Sequence, residues 1–144
     1  MLREKMQRVV LDTNVLVSSL IQRSHPYRIV NDFLLSRKIE LCISDSVLAE
    51  YYDVLNRKKF SKYSDFLEKS EAMLADIELN ANKFRPRRKL KIIRDHSDNK
   101  FLELSETSKA HFLITGNTND FTMRNYKRTK IVTPKEYLEK YCPD

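Results

Sequence analysis

A chain of 144 residues, 41% apolar and 33% charged, is sized for one domain with an ordinary core, which excludes disorder as its main state. Its single glycine, Gly116, excludes the glycine-rich loops that let backbone approach phosphate in nucleotide- and dinucleotide-binding motifs. The net charge of +7 lies wholly in the last 64 residues: residues 1–80 hold 12 basic and 12 acidic side chains, residues 81–144 hold 15 and 8. Such a surface suits a polyanion, nucleic acid being the commonest, with a plain solvated surface as the alternative.

Other compositional signals narrow the class further. Cys42 and Cys142 are too few and too far apart for a disulfide framework or a zinc knuckle. His25, His96 and His111 lack paired metal-ligand spacing. No secretory leader pattern opens the sequence, and the longest uncharged stretch near its start, residues 13–22, is too short to span a bilayer. A reduced cytoplasmic setting without membrane contact is therefore expected.

The β-branched run Val9-Val10-Leu11 predicts a buried strand ending at Asp12. Thr13 or Asn14 then caps a helix bearing Val15, Leu16, Leu20 and Ile21, and a second helix starts at Pro26. Leu41-Cys42-Ile43 reads as strand two, and Ser44 or Asp45 as the cap of a helix with Val47, Leu48, Tyr51, Val54 and Leu55 on one face. A further helix is expected over about 64–80. A basic segment follows over 83–94, with Ile92-Ile93 as a short strand near its end, and then a helix over 98–109. Phe112-Leu113-Ile114-Thr115 and Ile131-Val132 read as strands, and Pro134 opens a last helix with Tyr137 and Leu138. Strands alternate with helices and hairpin signals are missing, so the expected architecture is an α/β sandwich, one domain over residues 1–144, around a short parallel sheet.

Four acids share one topological position. Asp12 ends strand one, Glu50 lies early in the helix after strand two, Asp98 opens a helix, and Asp120 closely follows the strand at 112–115. In a parallel sheet these places converge on the carboxyl edge, where ligands bind. Taken singly, each acid has a plainer role as a helix cap, a loop acid or a solvated helix residue. Together they would repel unless a divalent cation neutralised them, and oxygen-only clusters suit Mg²⁺ or Mn²⁺. Such ions activate water for phosphodiester hydrolysis, leaving 5′-phosphate and 3′-hydroxyl ends.

The string Val9-Val10-Leu11-Asp12-Thr13-Asn14-Val15 resembles the opening strand and Asp-Thr-Asn of the PIN-domain ribonucleases. Asp98-Asn99-Lys100-Phe101-Leu102-Glu103 resembles that family's third acidic motif and is the most specific part. Ser46-Val47-Leu48-Ala49-Glu50 is similar to the helix carrying the second acid, and Ile114-Thr115-Gly116-Asn117 with Asp120-Phe121 is similar to the fourth motif. Within the family the chain looks most like the toxins of VapC-type toxin–antitoxin pairs. The resemblance implies an α/β/α sandwich, Mg²⁺- or Mn²⁺-dependent endoribonuclease activity, a homodimer and a small antitoxin partner. It implies that Asp12 and Asp98 hold the metal most directly, with Glu50 as the second acid and Asn14 and Thr115 as hydrogen-bonding supports. The fourth motif departs from the pattern: Asn117 stands where many relatives have Asp, and Asp120 is displaced along the chain. Asp120 alone brings a formal charge there, so it is expected to matter more for metal affinity than Asn117, with Gly116 supplying a left-handed turn. The lead-in Arg94-Asp95-His96-Ser97 is less acidic than the motif suggests, and Asp95 is at most a rim carboxylate.

Two basic clusters complete the picture. One runs through Arg87, Arg88, Lys89 and Lys91 to Arg94, and the other through Arg124, Lys127, Arg128 and Lys130 with Phe121 and Tyr126 between. Phosphate contacts from these groups bind RNA without reading its sequence, and an exposed aromatic ring can stack a base. Solvated charge, or a grip on an acidic antitoxin segment, are the alternatives. A dehalogenase-type phosphatase would need a second Asp where Asn14 stands. A receiver domain would need an acid preceding Asp12. The rival that remains is a non-catalytic member of the same fold that binds RNA or a partner.

Overall fold

The computed structural model describes residues 6–93, 98–117 and 119–144; Arg94, Asp95 and His96 of the sequence reading lie outside these. In chain order the elements are β1 (Arg8–Leu11), α1 (Thr13–Ile21) and α2 (His25–Arg28), which widens into π-type turns over Ile29–Leu34. Then come β2 (Glu40–Ile43), α3 (Asp45–Leu55), a 3-10 turn (Lys58–Phe60), α4 (Phe66–Asn80), β3 (Asn82–Lys83), α5 (Asn99–Ser108) and β4 (Phe112–Ile114). The chain ends with β5 (Asn125–Tyr126), β6 (Thr129–Val132) and α6 (Pro134–Glu136), extended by wider turns over Tyr137–Tyr141.

The sheet order is β3-β2-β1-β4-β6-β5. All neighbours pair in parallel except β5 and β6. Successive residues Val9, Val10 and Leu11, and again Phe112, Leu113 and Ile114, are all buried. Alternate side chains point to opposite faces, so both faces of the central strands are covered, as parallel sheets require. Among the covering elements, α5 packs on β1, β2 and β4. The α/β architecture read from the alternation of elements is present, with a mixed rather than wholly parallel sheet.

Several local expectations are corrected. The residue at the N-cap of α1 is Asp12, not Thr13 or Asn14. The second helix begins one residue before Pro26, at His25. Ile92 and Ile93 form no strand, because the Asn99 side chain accepts from both of their N–H groups (3.0 and 2.8 Å) and donates to the Ile93 carbonyl at 3.1 Å. The strand of the basic segment is the two-residue β3 at its head, which pairs with β2 on the side away from β1. A hairpin does occur: Lys127 and Arg128 form a two-residue turn between β5 and β6, with Lys127 at φ 52°. Gly116 is not left-handed; that conformation falls on Arg37, Asp65, Lys109 and Lys127. The turn after β4 needs no such residue, because the Thr115 hydroxyl accepts the Asn117 N–H at 3.0 Å and pins it.

Asn99 is 1% exposed and ties the end of the basic segment to the first turn of α5. Asn99→Ala should lower unfolding free energy by about 2–3 kcal/mol, since it strands buried backbone groups. Urea denaturation checks this, and Asn99→Asp should recover only part of the loss because it has no donor for the Ile93 carbonyl.

Candidate active site at the carboxyl edge of the sheet

From β1 the sheet continues to β2 on one side and to β4 on the other. The crevice beyond such a switch point is where open α/β sheets place ligands. The Asp12 N–H donates to the Ile114 carbonyl at 3.0 Å, carrying the β1–β4 ladder one step past the strand. This sets Asp12 beside Thr115, whose hydroxyl donates to Asp12 Oδ2 at 2.6 Å. Asp12 is only 4% exposed. Burial raises its carboxyl pKa; the Thr115 hydrogen bond opposes the rise and the nearby Glu50 charge adds to it.

Glu50 is placed by α3. Ser44 caps that helix by accepting the Val47 N–H at 3.2 Å. Tyr51, fully buried, donates its hydroxyl to the Leu11 carbonyl at 2.6 Å and fixes the rotation of α3 against β1. Glu50 then stands at the sheet edge. One of its oxygens accepts from the Thr13 hydroxyl, and the other takes Lys100 Nζ at 2.9 Å. Both members of this ion pair are mostly buried, at 23% and 17% side-chain exposure. Lys100 thereby brings the first turn of α5 to the second turn of α3.

The remaining named residues fall as follows. Asp98 is half-buried at the N-cap of α5, two residues before Lys100. Asn14 is exposed on the first turn of α1. Asn117 and Asp120 close a small loop on each other: Asn117 Nδ2 donates to Asp120 Oδ2 at 2.9 Å, and the Asp120 N–H donates to Asn117 Oδ1 at 3.2 Å. A chain of hydrogen bonds thus runs from Asp12 through Thr115 and Asn117 to Asp120. Of the basic residues, Arg87, Lys89, Arg124 and Arg128 are exposed. Arg88 and Lys127 both pair with Glu106 on α5, and their hydrogen bonds, helped by their charges, hold its carboxyl down to about 2.

Sequence reasoning missed Lys100, Thr13 and Tyr51. Thr13 and Lys100 lie inside the quoted motifs, yet a pairing across α3 and α5 leaves no mark in sequence spacing. Among the described residues no group of three His, Cys, Asp or Glu side chains is gathered so as to hold a metal ion. The donors that are adjacent, Asp12 and Glu50, are oxygen-only and mutually repelling, which suits a hard divalent cation once Lys100 gives way on Glu50. The Cys42 thiol is buried and pushed up to about 11, chiefly by burial, which makes it a poor nucleophile and metal ligand.

Two outcomes follow for the metal-free protein. Lys100→Met leaves Glu50 uncompensated beside Asp12 and should cost about 1–2 kcal/mol in urea denaturation in EDTA. Asp12→Asn should raise the melting temperature in EDTA at pH 7. The folded carboxyl titrates above its unfolded range, so the protonated form favours folding and the ionised form opposes it. The gain should therefore shrink as pH falls and vanish below about pH 4, where the unfolded chain is also protonated.

Comparison with known proteins bears on the family and the fold. Uncharacterized protein MJ1680 of Methanocaldococcus jannaschii is 29% identical, the match covering 96% of this chain and 96% of that protein. A chain in the crystal structure of VapBC2 from Rickettsia felis, bound to a DNA fragment from their promoter, superposes with a TM-score of 0.55 at 20% identity. That match covers 88% of this chain and 98% of the other, and it shows a shared fold. Residues 8–119 match the PIN domain family, whose members are generally nucleases that hydrolyse RNA. This stretch runs from the first residue of β1 into the loop after β4, ending one residue before Asp120, and contains Asp12, Glu50, Asp98 and Thr115; the chain belongs to the PIN domain family.

Proposed function

We propose that the chain is a metal-dependent endoribonuclease and the toxin of a type II toxin–antitoxin pair. The observation that carries this reading is the buried Asp12 carboxylate, held by Thr115 over the switch point and close enough to Glu50 to feel its charge. A carboxylate that a fold buries against its own electrostatic preference is a site-forming feature. Asp12 and Glu50 would hold Mg²⁺ or Mn²⁺, with Asp98 and Asp120 as the further acids. The ion would supply charge neutralisation and an activated water.

The chain's own residues do the rest. Thr115 fixes the orientation of Asp12, and Thr13 fixes that of Glu50. Lys100 keeps Glu50 at the edge until a cation arrives. The exposed cations Arg87, Lys89, Arg124 and Arg128 supply phosphate contacts for a single-stranded or looped RNA. A homodimer, a small antitoxin partner and a cytoplasmic setting complete the proposal; the shared fold with the VapBC2 chain supports the antitoxin. No helix among the described residues is long and apolar enough to cross a membrane.

A second reading is a PIN-fold module that binds RNA or a partner without cleaving. Two observations favour it: the Lys100–Glu50 pair already neutralises one acid, and Asp120 is engaged by Asn117.

The deciding experiment is incubation of a labelled single-stranded RNA with Mn²⁺, with and without EDTA. The expected result is EDTA-sensitive cleavage leaving 5′-phosphate and 3′-hydroxyl ends, lost by about a hundredfold or more in Asp12→Asn. Cleavage that survives EDTA, or cyclic phosphate ends, refutes the mechanism, and no cleavage at all selects the binding module. In calorimetric Mn²⁺ titration, Asp120→Asn should weaken binding more than Asn117→Ala; equal loss refutes a ligand role for Asp120.

A further inference from the structure

The two basic clusters, separate in sequence, meet on one acid at the end of the molecule opposite Asp12. β6 runs parallel to β4 and β1, so the Lys127–Arg128 turn that precedes it lies at the amino edge of the sheet. Lys109, the C-cap of α5, lies three residues before the start of β4 and so at the same edge. Arg88 reaches Glu106 from the other cluster, and Lys127 Nζ meets Glu106 Oε1 at 2.8 Å. Together with Ser105, the residues Glu106, Lys109, Lys127 and Arg128 line a shallow concavity of about 350 Å³. Two cations thus pair with one carboxylate, and two more, Lys109 and Arg128, line the concavity beside it.

Glu106 does not cancel this charge; it orients it. Arg88 gives two N–H groups to Glu106 and Lys127 gives one. An arginine has five such donors and a lysine three, so most remain for another anion. Two cations held in place by a fixed carboxylate lose less side-chain freedom on meeting phosphate than free ones do.

The segment that carries Arg88 links this cradle to the candidate active site. Beyond Arg88 it runs antiparallel along α5: the Leu90 N–H donates to Glu103 at 2.9 Å, and the Ile92 and Ile93 N–H groups donate to Asn99. Lys89 and Lys91 are exposed along this path. From Glu106 to Asp98 is eight residues of helix, about 12 Å.

We infer that the concavity around Glu106 is a phosphodiester-binding cradle at the amino edge of the sheet, and that it holds single-stranded RNA whose backbone runs along α5 to the carboxyl-edge site. The choice of RNA rests on the nuclease reading. The binding itself does not, because it needs neither metal nor cleavage.

The test is fluorescence anisotropy of a labelled, unstructured RNA of about 20 nucleotides in EDTA, with folding checked by thermal melts. Arg88→Gln/Lys127→Gln should weaken binding about tenfold and flatten the salt dependence by one to two phosphate contacts. Lys109→Gln/Arg128→Gln, which leaves both ion pairs to Glu106 intact, should weaken it several-fold. Lys58→Gln/Lys59→Gln removes the same charge from an exposed turn elsewhere and should change affinity little. Equal losses in all three double variants would reduce the cradle to general charge and overturn the inference. So would variants that lose binding to polyglutamate while keeping RNA, since the cradle would then serve an acidic protein. If the wild-type chain binds RNA through these residues yet fails to cleave it with Mn²⁺, the nuclease reading falls and the cradle stands.

Discussion

A carboxylate buried at the end of a strand needs donors, because an unmet buried charge costs several kcal/mol. Asp12 finds one in Thr115, and that dependence ties the site to the β1–β4 register. With Leu11 opposite Ile114, Thr115 falls beside Asp12; a slip of one residue would turn its hydroxyl to the other face of the sheet. The same residue then holds the next turn through Asn117. Strand register thus places one hydroxyl that both orients the acid and shapes the loop after β4.

Around this pair the helices are fastened by polar groups as well as by apolar packing. Tyr51 anchors α3 to the last carbonyl of β1, and Lys100 anchors α5 to α3 through Glu50. Each tie lands within a residue or two of an acid. The Lys100–Glu50 pair therefore places a charge of the candidate site at the contact between α3 and α5.

Much of the fold was legible because its signals are local. Val9-Val10-Leu11 and Phe112-Leu113-Ile114 read as strands because both faces are buried, and α5 read as a helix because Phe101, Leu104 and Ser108 recur at its period. Ile92-Ile93 misled because a short apolar run carries no period, and the competing partner was a side chain seven residues on. β5 was invisible for a related reason: two residues, Asn125 and Tyr126, become a strand only because β6 offers an open edge. At the site, topology alone was enough to bring Asp12 and Glu50 to one edge. The Lys100 pair and the meeting of Arg88 with Lys127 were not legible, since contacts between distant elements have no sequence spacing to betray them.

The scarcity of glycine has a consequence for evolvability. Lys109 and Lys127 both adopt positive φ, at 55° and 52°, where glycine is the favoured residue and a side chain costs about 1 kcal/mol. Both line the same basic concavity. Drift toward glycine at these turns would raise thermal robustness while erasing positive charge from the amino edge. The two lysines thus mark a compromise between ease of backbone folding and surface potential, and homologues adapted to heat should reveal which of the two selection has favoured.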